Sequence, residues 1–204
     1  MAAAGAFAWM QPRDDYPRTE MGYATARPQS SSPSSEATAE RRIVVDYFYY
    51  GCPHCRGFEP MLEAWANRHA PGVVLKRVPV TGGRPELIRQ AALFYALDNL
   101  GEIPRKNESV FKTVANKADF PVSDSDLAEW AAKENIDPKR LLAAYHAPGM
   151  RAQIDAGDQA FLALGLSAVP AIGVRWRWVV TPATAGSIEG MPGAMTAALS
   201  AADS

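Results

Sequence analysis

The chain has 204 residues, of which 48% are hydrophobic and 21% charged, enough for one globular domain with a sizeable core or one domain with a large insertion. Lysine and arginine number 21 against 22 aspartates and glutamates, and this net charge of -1 is not that of a nucleic-acid-binding protein or of a basic membrane-surface protein. No apolar stretch is long enough to span a bilayer, so a soluble protein is expected.

The first 40 residues are predicted to form a flexible segment. Residues 2–8 are small, like the end of a secretory signal, but the basic region of such a signal is absent. A trimmed signal and a chance resemblance therefore both stay open. Residues 22–26 are predicted as a short edge strand, and the serine- and proline-rich stretch 27–40 as a flexible loop.

A buried strand, a cysteine pair and a helix follow. Residues 43–51 are β-branched and aromatic, as in a buried strand, whereas apolar residues from 58 to 65 recur with the period of one helix face. Both cysteines of the chain lie between these segments, in the motif Cys52-Pro53-His54-Cys55. The motif is therefore predicted at a turn from strand to helix.

The position of the first cysteine favours a thiolate. Pro53 suits the first position of a helix, where a missing N–H costs nothing. Cys52 then lies at the N-cap, where the helix dipole and the unpaired backbone N–H groups favour an anion. We expect these groups to lower the pKa of the Cys52 thiol and make it the nucleophile.

Two other interpretations of the cysteine pair are weaker. A structural zinc site requires four ligands, and only three histidines remain to complete one, so no metal site is predicted. A purely structural disulfide would close so short a loop that it would restrict the unfolded chain little. Reversible redox chemistry without a cofactor is the favoured interpretation.

The rest of the chain alternates between strand and helix patterns. Residues 73–80 are predicted as a strand that ends near Pro79, which cannot donate to a β ladder. Residues 85–164 have a helical pattern, with Ser123 and Asp137 as helix N-caps. Near the C-terminus a pair of strands joined by a wide turn precedes a helix of small residues, at 169–174, 177–181 and 193–202.

This order of elements indicates a fold class. A cysteine pair at a strand-to-helix turn, a helical block and a late hairpin predict an α/β protein with a thioredoxin-like fold and an inserted all-helical domain. The N-terminal segment would cover residues 1–40. The predicted bounds are 41–84 and 166–204 for the thioredoxin-like domain and 85–165 for the helical insertion.

Three features together resemble the DsbA family: the segment 46–55, the helical block and the Val169-Pro170 pair. The Pro-His dipeptide between the cysteines is the most specific of them. The resemblance covers roughly residues 20 to 202. It implies an enzyme that oxidises thiols of newly secreted, incompletely folded polypeptides in the bacterial periplasm, with a quinone-linked, DsbB-like membrane partner as its reoxidant.

The resemblance also assigns roles to the motif. Cys52 is the attacked sulfur, exposed at the helix end, and Cys55 is the resolving thiol one turn deeper. His54 would favour the Cys52 thiolate, although a solvated surface histidine stays open as an alternative. Stabilising the thiolate stabilises the reduced protein and makes the disulfide a strong oxidant.

Two further sites come from the same resemblance. Asp46 is a carboxylate inside an apolar strand, which is costly unless it is partnered or protonated, and the family carries an acid there that moves protons. Lys76 or Arg77 could pair with it, and a surface-facing aspartate stays open. Val169 and Pro170 match the loop that holds a cis-proline and binds an extended substrate strand in this fold.

Other functions stay open on the sequence. A disulfide isomerase or reductase could use the same scaffold, although residues 1–40 are too short and too polar for a dimerisation domain, which argues against the isomerase. A monomer is expected. A non-catalytic redox-sensing or zinc-binding module is the second alternative. Unfolded secreted polypeptides and the membrane reoxidant are the expected partners, and no nucleic acid is expected.

Overall fold

The computed structural model describes residues 23–25, 43–115, 120–121, 123–175 and 177–201. Most of the predicted N-terminal segment 1–40 lies outside these ranges. The strands are β1 (Tyr23–Thr25), β2 (Ile43–Phe48), β3 (Val74–Pro79), β4 (Ala171–Val174) and β5 (Trp178–Val180). The described helices are α1 (Pro53–His69), α2 (Pro85–Asn99), α3 (Ile103–Ala115), α4 (Asp124–Lys133), α5 (Pro138–Tyr145), α6 (Met150–Ala163), α7 (Pro182–Ala185) and α8 (Met191–Ala201).

The five strands form one sheet in the order β1-β5-β4-β2-β3. β4 is antiparallel to both of its neighbours, β2 and β5. β1 pairs antiparallel with β5 at one edge, which confirms the edge strand predicted at 22–26. β3 lies at the other edge and ends at Pro79, as predicted, with the exposed Lys76 in its middle.

The turn between β4 and β5 is wider than two residues, as predicted. Val174 pairs with Trp178, so three residues separate the two partners. Arg175 has a φ of 52°, and the Arg177 N–H donates to the Val174 carbonyl over 3.1 Å. A residue with a left-handed backbone conformation is common in three-residue hairpin loops, because this conformation matches the twist of the strands.

One compact unit consists of residues 23–25, 43–48, 54–78, 159–175 and 177–201. Its core forms where the apolar faces of α1 and α8 meet the sheet, because each element buries one apolar face. Trp65 of α1 is 1% exposed, and its indole N–H donates to Thr196 Oγ1 of α8 over 2.9 Å. Other core residues include Val44, Phe58, Leu62, Ile172, Val180, Met191 and Met195.

The second compact unit consists of residues 49–53, 79–115, 120–121 and 123–158. Its central helix is α2, where every residue from Gln90 to Leu97 is buried. Both predicted N-caps are confirmed: Ser123 forms a capping box with Asp126, and the Asp137 carboxylate accepts from the first-turn amides of α5. The domain bounds drawn from the sequence stay a prediction.

The loop after β3 is fixed from within this second unit. The Asp158 carboxylate accepts from Thr81 N–H over 2.6 Å and from the Thr81 hydroxyl over 2.5 Å. These short, charge-assisted bonds hold the start of the loop that leads into α2. Within the described ranges, none of the helices combines the length and the apolar composition needed to cross a membrane.

Candidate active site

The cysteine pair lies at the turn that connects the end of β2 to the start of α1. β2 ends at Phe48 and α1 begins at Pro53, so Cys52 immediately precedes the first helical residue, as predicted. The Cys52 N–H donates to the Tyr49 carbonyl over 3.1 Å and closes a tight turn between strand and helix. His54 lies in the first turn of α1 and is exposed, whereas Cys55 is 3% exposed.

Cys52 differs from the exposed sulfur that the resemblance implies. The residue is only 3% exposed, as buried as Cys55. The turn before it is bonded to polar side chains of α2 and α3, although Gly51 itself is exposed. Gly51 N–H donates to Gln90 Oε1 over 3.2 Å, and the hydroxyl of the buried Tyr50 donates to Asn107 Oδ1 over 2.8 Å.

Aromatic contacts complete the packing of this turn. The Tyr50 ring meets Phe111 edge to face with ring centroids 4.8 Å apart, and it lies 6.4 Å from Phe94. The Arg84 guanidinium lies over the Tyr49 ring, 5.3 Å from its centroid. Ring contacts of these kinds add to the stabilisation from burial, and they hold the turn within the second compact unit.

A cluster of buried, charged side chains lies on the face of the sheet that α1 covers. Asp46 of β2 is 2% exposed, which excludes the surface-facing alternative. Its register partner is Ile172 of the core, so both side chains point to the α1 side of the sheet. Arg77 of β3 and Glu59 of α1 join the cluster, with Arg77 Nη2 2.7 Å from Glu59 Oε1.

Arg77, and not Lys76, is the cation that balances these acids. Lys76 is exposed, whereas the Arg77 side chain is only 11% exposed. Burial disfavours the charge on Arg77, but the attraction of Glu59, then Asp46 and Glu63, outweighs it and raises the pKa of the guanidinium. Arg77 also bonds to Glu63, which is half-exposed. The cluster therefore keeps Arg77 charged inside the protein.

Glu59 is the residue of this site that the sequence analysis missed. It follows Cys55 by four residues on α1, so both lie on one side of the helix, a turn apart. The helical period did not reveal it, because Glu59 lies to one side of the apolar stripe formed by Phe58, Leu62 and Trp65. A buried acid is costly unless a partner balances it, and that partner, Arg77, is distant in sequence.

The Val169-Pro170 loop precedes β4. The Val169–Pro170 peptide bond is cis, the isomer that the resemblance favours. Val169 is half-buried and Pro170 is buried. Beside the loop lies a cavity of about 460 Å³, whose mostly apolar lining includes Leu164, Leu166, Val169, Pro170, Val179 and Pro182.

These features define a class of protein. A cysteine pair spaced for one short disulfide, at the start of a helix that packs on a β-sheet, is the arrangement of thioredoxin-like thiol:disulfide exchange proteins. In the part of the chain that the structure describes, no three His, Cys, Asp or Glu side chains are grouped to hold a metal ion.

The comparisons with known proteins agree with this class. No protein-family model matches the chain. The thiol:disulfide interchange protein DsbA of Azotobacter vinelandii is 31% identical over 147 residues, 72% of this chain and 68% of that protein. The DsbA of Burkholderia cepacia is 28% identical over 154 residues, 76% of this chain and 72% of that protein.

Solved structures extend the likeness to the fold. The oxidoreductase DsbA from Xylella fastidiosa has a TM-score of 0.69 at 28% identity, covering 78% of this chain and 84% of that one. Pseudomonas aeruginosa DsbA has a TM-score of 0.73 at 23% identity, covering 90% of this chain and 95% of that one. The chain belongs to the DsbA family and is a thiol:disulfide oxidoreductase. The thioredoxin-like fold with an inserted helical domain is also confirmed.

Proposed function

We propose that this chain introduces disulfides into secreted, incompletely folded polypeptides in the bacterial periplasm, through Cys52 and Cys55. The observation that carries the proposal is the cysteine pair at the start of α1 in a chain of the DsbA family. A helix N-terminus favours the thiolate that a dithiol oxidant leaves behind, and so favours the transfer of the disulfide to a client.

The proposed reaction has two exchange steps. A client thiolate attacks the Cys52 sulfur, the Cys52–Cys55 bond breaks, and Cys55 leaves as a thiolate. A second client thiolate then attacks the client sulfur of this mixed disulfide, and Cys52 leaves. The client loses two electrons to its new disulfide, and the enzyme gains them as two thiols or thiolates.

In this proposal the motif residues share the stabilisation of Cys52. Pro53 has no backbone N–H and therefore suits the first position of α1. Cys52 then lies directly at the N-terminus of the helix, where the helix dipole favours its thiolate. His54 is exposed in the first turn, two residues after Cys52, and its protonated form would favour the Cys52 thiolate. Both effects stabilise the reduced enzyme relative to the oxidised one.

The buried acids are proposed to handle the proton of Cys55. Glu59 lies one helical turn from Cys55, and Asp46 faces the same side of the sheet. When Cys55 leaves as a thiolate it takes up a proton, and it gives one up when the disulfide forms again. An ionised carboxylate of this cluster is suited to accept the proton that Cys55 gives up when the disulfide forms again, because Arg77 limits the cost of the ionised form.

The client is proposed to bind at the Val169-Pro170 loop as an extended strand. Main-chain bonds to Val169 would hold client segments of many sequences, because they do not read side chains. The apolar cavity beside the loop could accept client side chains that are still exposed before folding. A quinone-linked, DsbB-like membrane protein is the proposed acceptor of the electrons, and the chain is proposed to act as a monomer.

The direct test is oxidation of a reduced, unfolded client by the oxidised full chain. Reduced ribonuclease should gain one disulfide for each enzyme molecule reduced, and far faster than with glutathione disulfide alone. Cys52→Ser should be inactive. A client that is oxidised no faster with the enzyme than without it would refute the proposed function.

Two further measurements separate the alternatives. An isomerase would restore activity to ribonuclease with scrambled disulfides faster than it oxidises the reduced client. A zinc-binding module would hold about one metal ion per chain on Cys52 and Cys55. Either result would replace the proposed oxidase by the corresponding alternative.

A further inference from the structure

The strand-to-helix turn at Tyr49–Pro53 belongs to the second compact unit and is held by side chains of that unit. Three side chains contact three successive residues of the turn: Arg84 covers the Tyr49 ring, Asn107 accepts from the Tyr50 hydroxyl, and Gln90 accepts from the Gly51 amide. Arg84 and Asn107 contact side chains. Gln90 alone among these three contacts the backbone, at the residue immediately before Cys52.

Gln90 is also an unusual residue for its position. It lies on α2 at the start of a fully buried run of residues and is itself 8% exposed. A buried side-chain amide costs free energy unless it is hydrogen-bonded, so such a residue usually has a specific partner. The partner here is Gly51 N–H, over 3.2 Å. The Gln90 amide nitrogen lies 3.8 Å from where a Cβ on Gly51 would be, so the side chain lies against the Gly51 backbone.

We propose that Gln90 is a positioning residue for Cys52, an inference that rests on the proposed function. Two bonds hold the turn at adjacent amides: Cys52 N–H to the Tyr49 carbonyl, and Gly51 N–H to Gln90. Together they fix the two peptide units that precede the sulfur-bearing residue. Cys52 then enters α1 with one backbone orientation.

This orientation matters for the redox chemistry because the field of a helix end is short-ranged. The favourable interaction of an anion with a helix N-terminus falls off within the first turn. A Cys52 sulfur that is free to swing away would lose part of that interaction as a thiolate, while a disulfide-bonded Cys52 carries no charge to lose. Loosening the turn should therefore destabilise the reduced enzyme more than the oxidised enzyme.

Gln90→Met tests the inference, since it keeps the length of the side chain and removes the acceptor. Its equilibrium with glutathione should shift toward the oxidised enzyme by about two- to tenfold, the range of one net hydrogen bond. The midpoint of the thiolate absorbance of Cys52 should rise with it, and the Gly51 amide should exchange its hydrogen faster. Gln90→Leu provides a second variant without the acceptor if the methionine variant does not fold.

Thr113→Val is the matched control. It removes a side-chain hydrogen bond of similar length in the same unit, from the Trp130 indole over 3.2 Å, away from the turn. We expect it to lower stability without moving the glutathione equilibrium. An unmoved equilibrium in Gln90→Met, or an equal shift in both variants, would overturn the positioning role. Failure of the parent chain to oxidise reduced ribonuclease would instead overturn the proposed function.

Discussion

Replacing Arg77 by methionine should cost far more stability than removing an exposed arginine. Arg77 Nη2 lies 2.7 Å from Glu59, and the two side chains are only 11% and 12% exposed. At an effective dielectric constant of about 20, two charges at that distance attract by about 6 kcal/mol, part of which offsets the cost of burying them. Breaking one partner of such a pair typically costs about 3–5 kcal/mol, and we expect Arg77→Met to fall in that range at pH 7.

The cost should depend on pH in a defined direction. Without Arg77, burial raises the pKa of the acids that remain, Asp46 and Glu59, above their values in the unfolded chain. Such groups contribute stability below their unfolded pKa values, about 4, and this stability is lost as the pH rises through the folded values. The deficit of Arg77→Met relative to the parent should therefore be large at pH 7 and shrink toward pH 4.

Denaturant unfolding of the oxidised chain at several pH values measures both effects. Arg105→Met is the control, since the Arg105 side chain is 71% exposed and its bridge to Glu102 should be worth about 0–1 kcal/mol. If Arg77→Met lowers the free energy of unfolding no more than this control does, Arg77 and the buried acids do not form a stabilising charge pair. A deficit that is the same at pH 7 and at pH 4.5 would show that the buried acids do not respond to the loss of Arg77.

Three further predictions concern other parts of the chain. His54→Ala should raise the thiolate midpoint of Cys52 by about one pH unit and make the disulfide about tenfold less oxidising against glutathione; an unchanged equilibrium would make His54 a surface residue only. Burial opposes the charge of Glu134, but bonds from Ser109 and Lys106 lower its pKa below the usual value. Glu134→Gln should therefore cost about 1 kcal/mol in urea melts at pH 7, and that difference should vanish as the pH falls through the lowered pKa of the parent carboxyl. Ala183→Glu, at an exposed position of α7 that lines the cavity, should slow oxidation of unfolded ribonuclease but not of dithiothreitol, and equal effects on both would exclude a client site there.

The sequence predicted the elements well because their signals are local. The apolar period of α1, the N-caps Ser123 and Asp137 and the position of Pro79 each depend on neighbours within a few residues, and the structure has each of them where it was expected. The signal of the cysteine pair is equally local, since its predicted chemistry depends on the spacing of the two cysteines and on the helix that begins at Pro53.

The partners of buried charges could not be predicted in the same way. Asp46 stood out in an apolar strand, but the choice between Lys76 and Arg77 depends on which side of β3 faces α1, and that is fixed by tertiary packing. Glu59 was hidden by its position in a helix, where acids are usually solvated. The side chains that bond to Tyr50 and Gly51, just before Cys52, come from α2 and α3, which lie more than 30 residues away in sequence.

The two edges of the sheet have a consequence for the proposed function, in which the chain meets unfolded polypeptides. An open edge strand is a template on which another extended polypeptide can add itself and begin to aggregate. Here β5 is covered by the three-residue β1, and β3 carries the exposed Lys76 and ends at Pro79. Short length, lysine and proline all disfavour edge-to-edge pairing. Under the proposed function, these features would disfavour association of the sheet with the unfolded polypeptides that the enzyme oxidises.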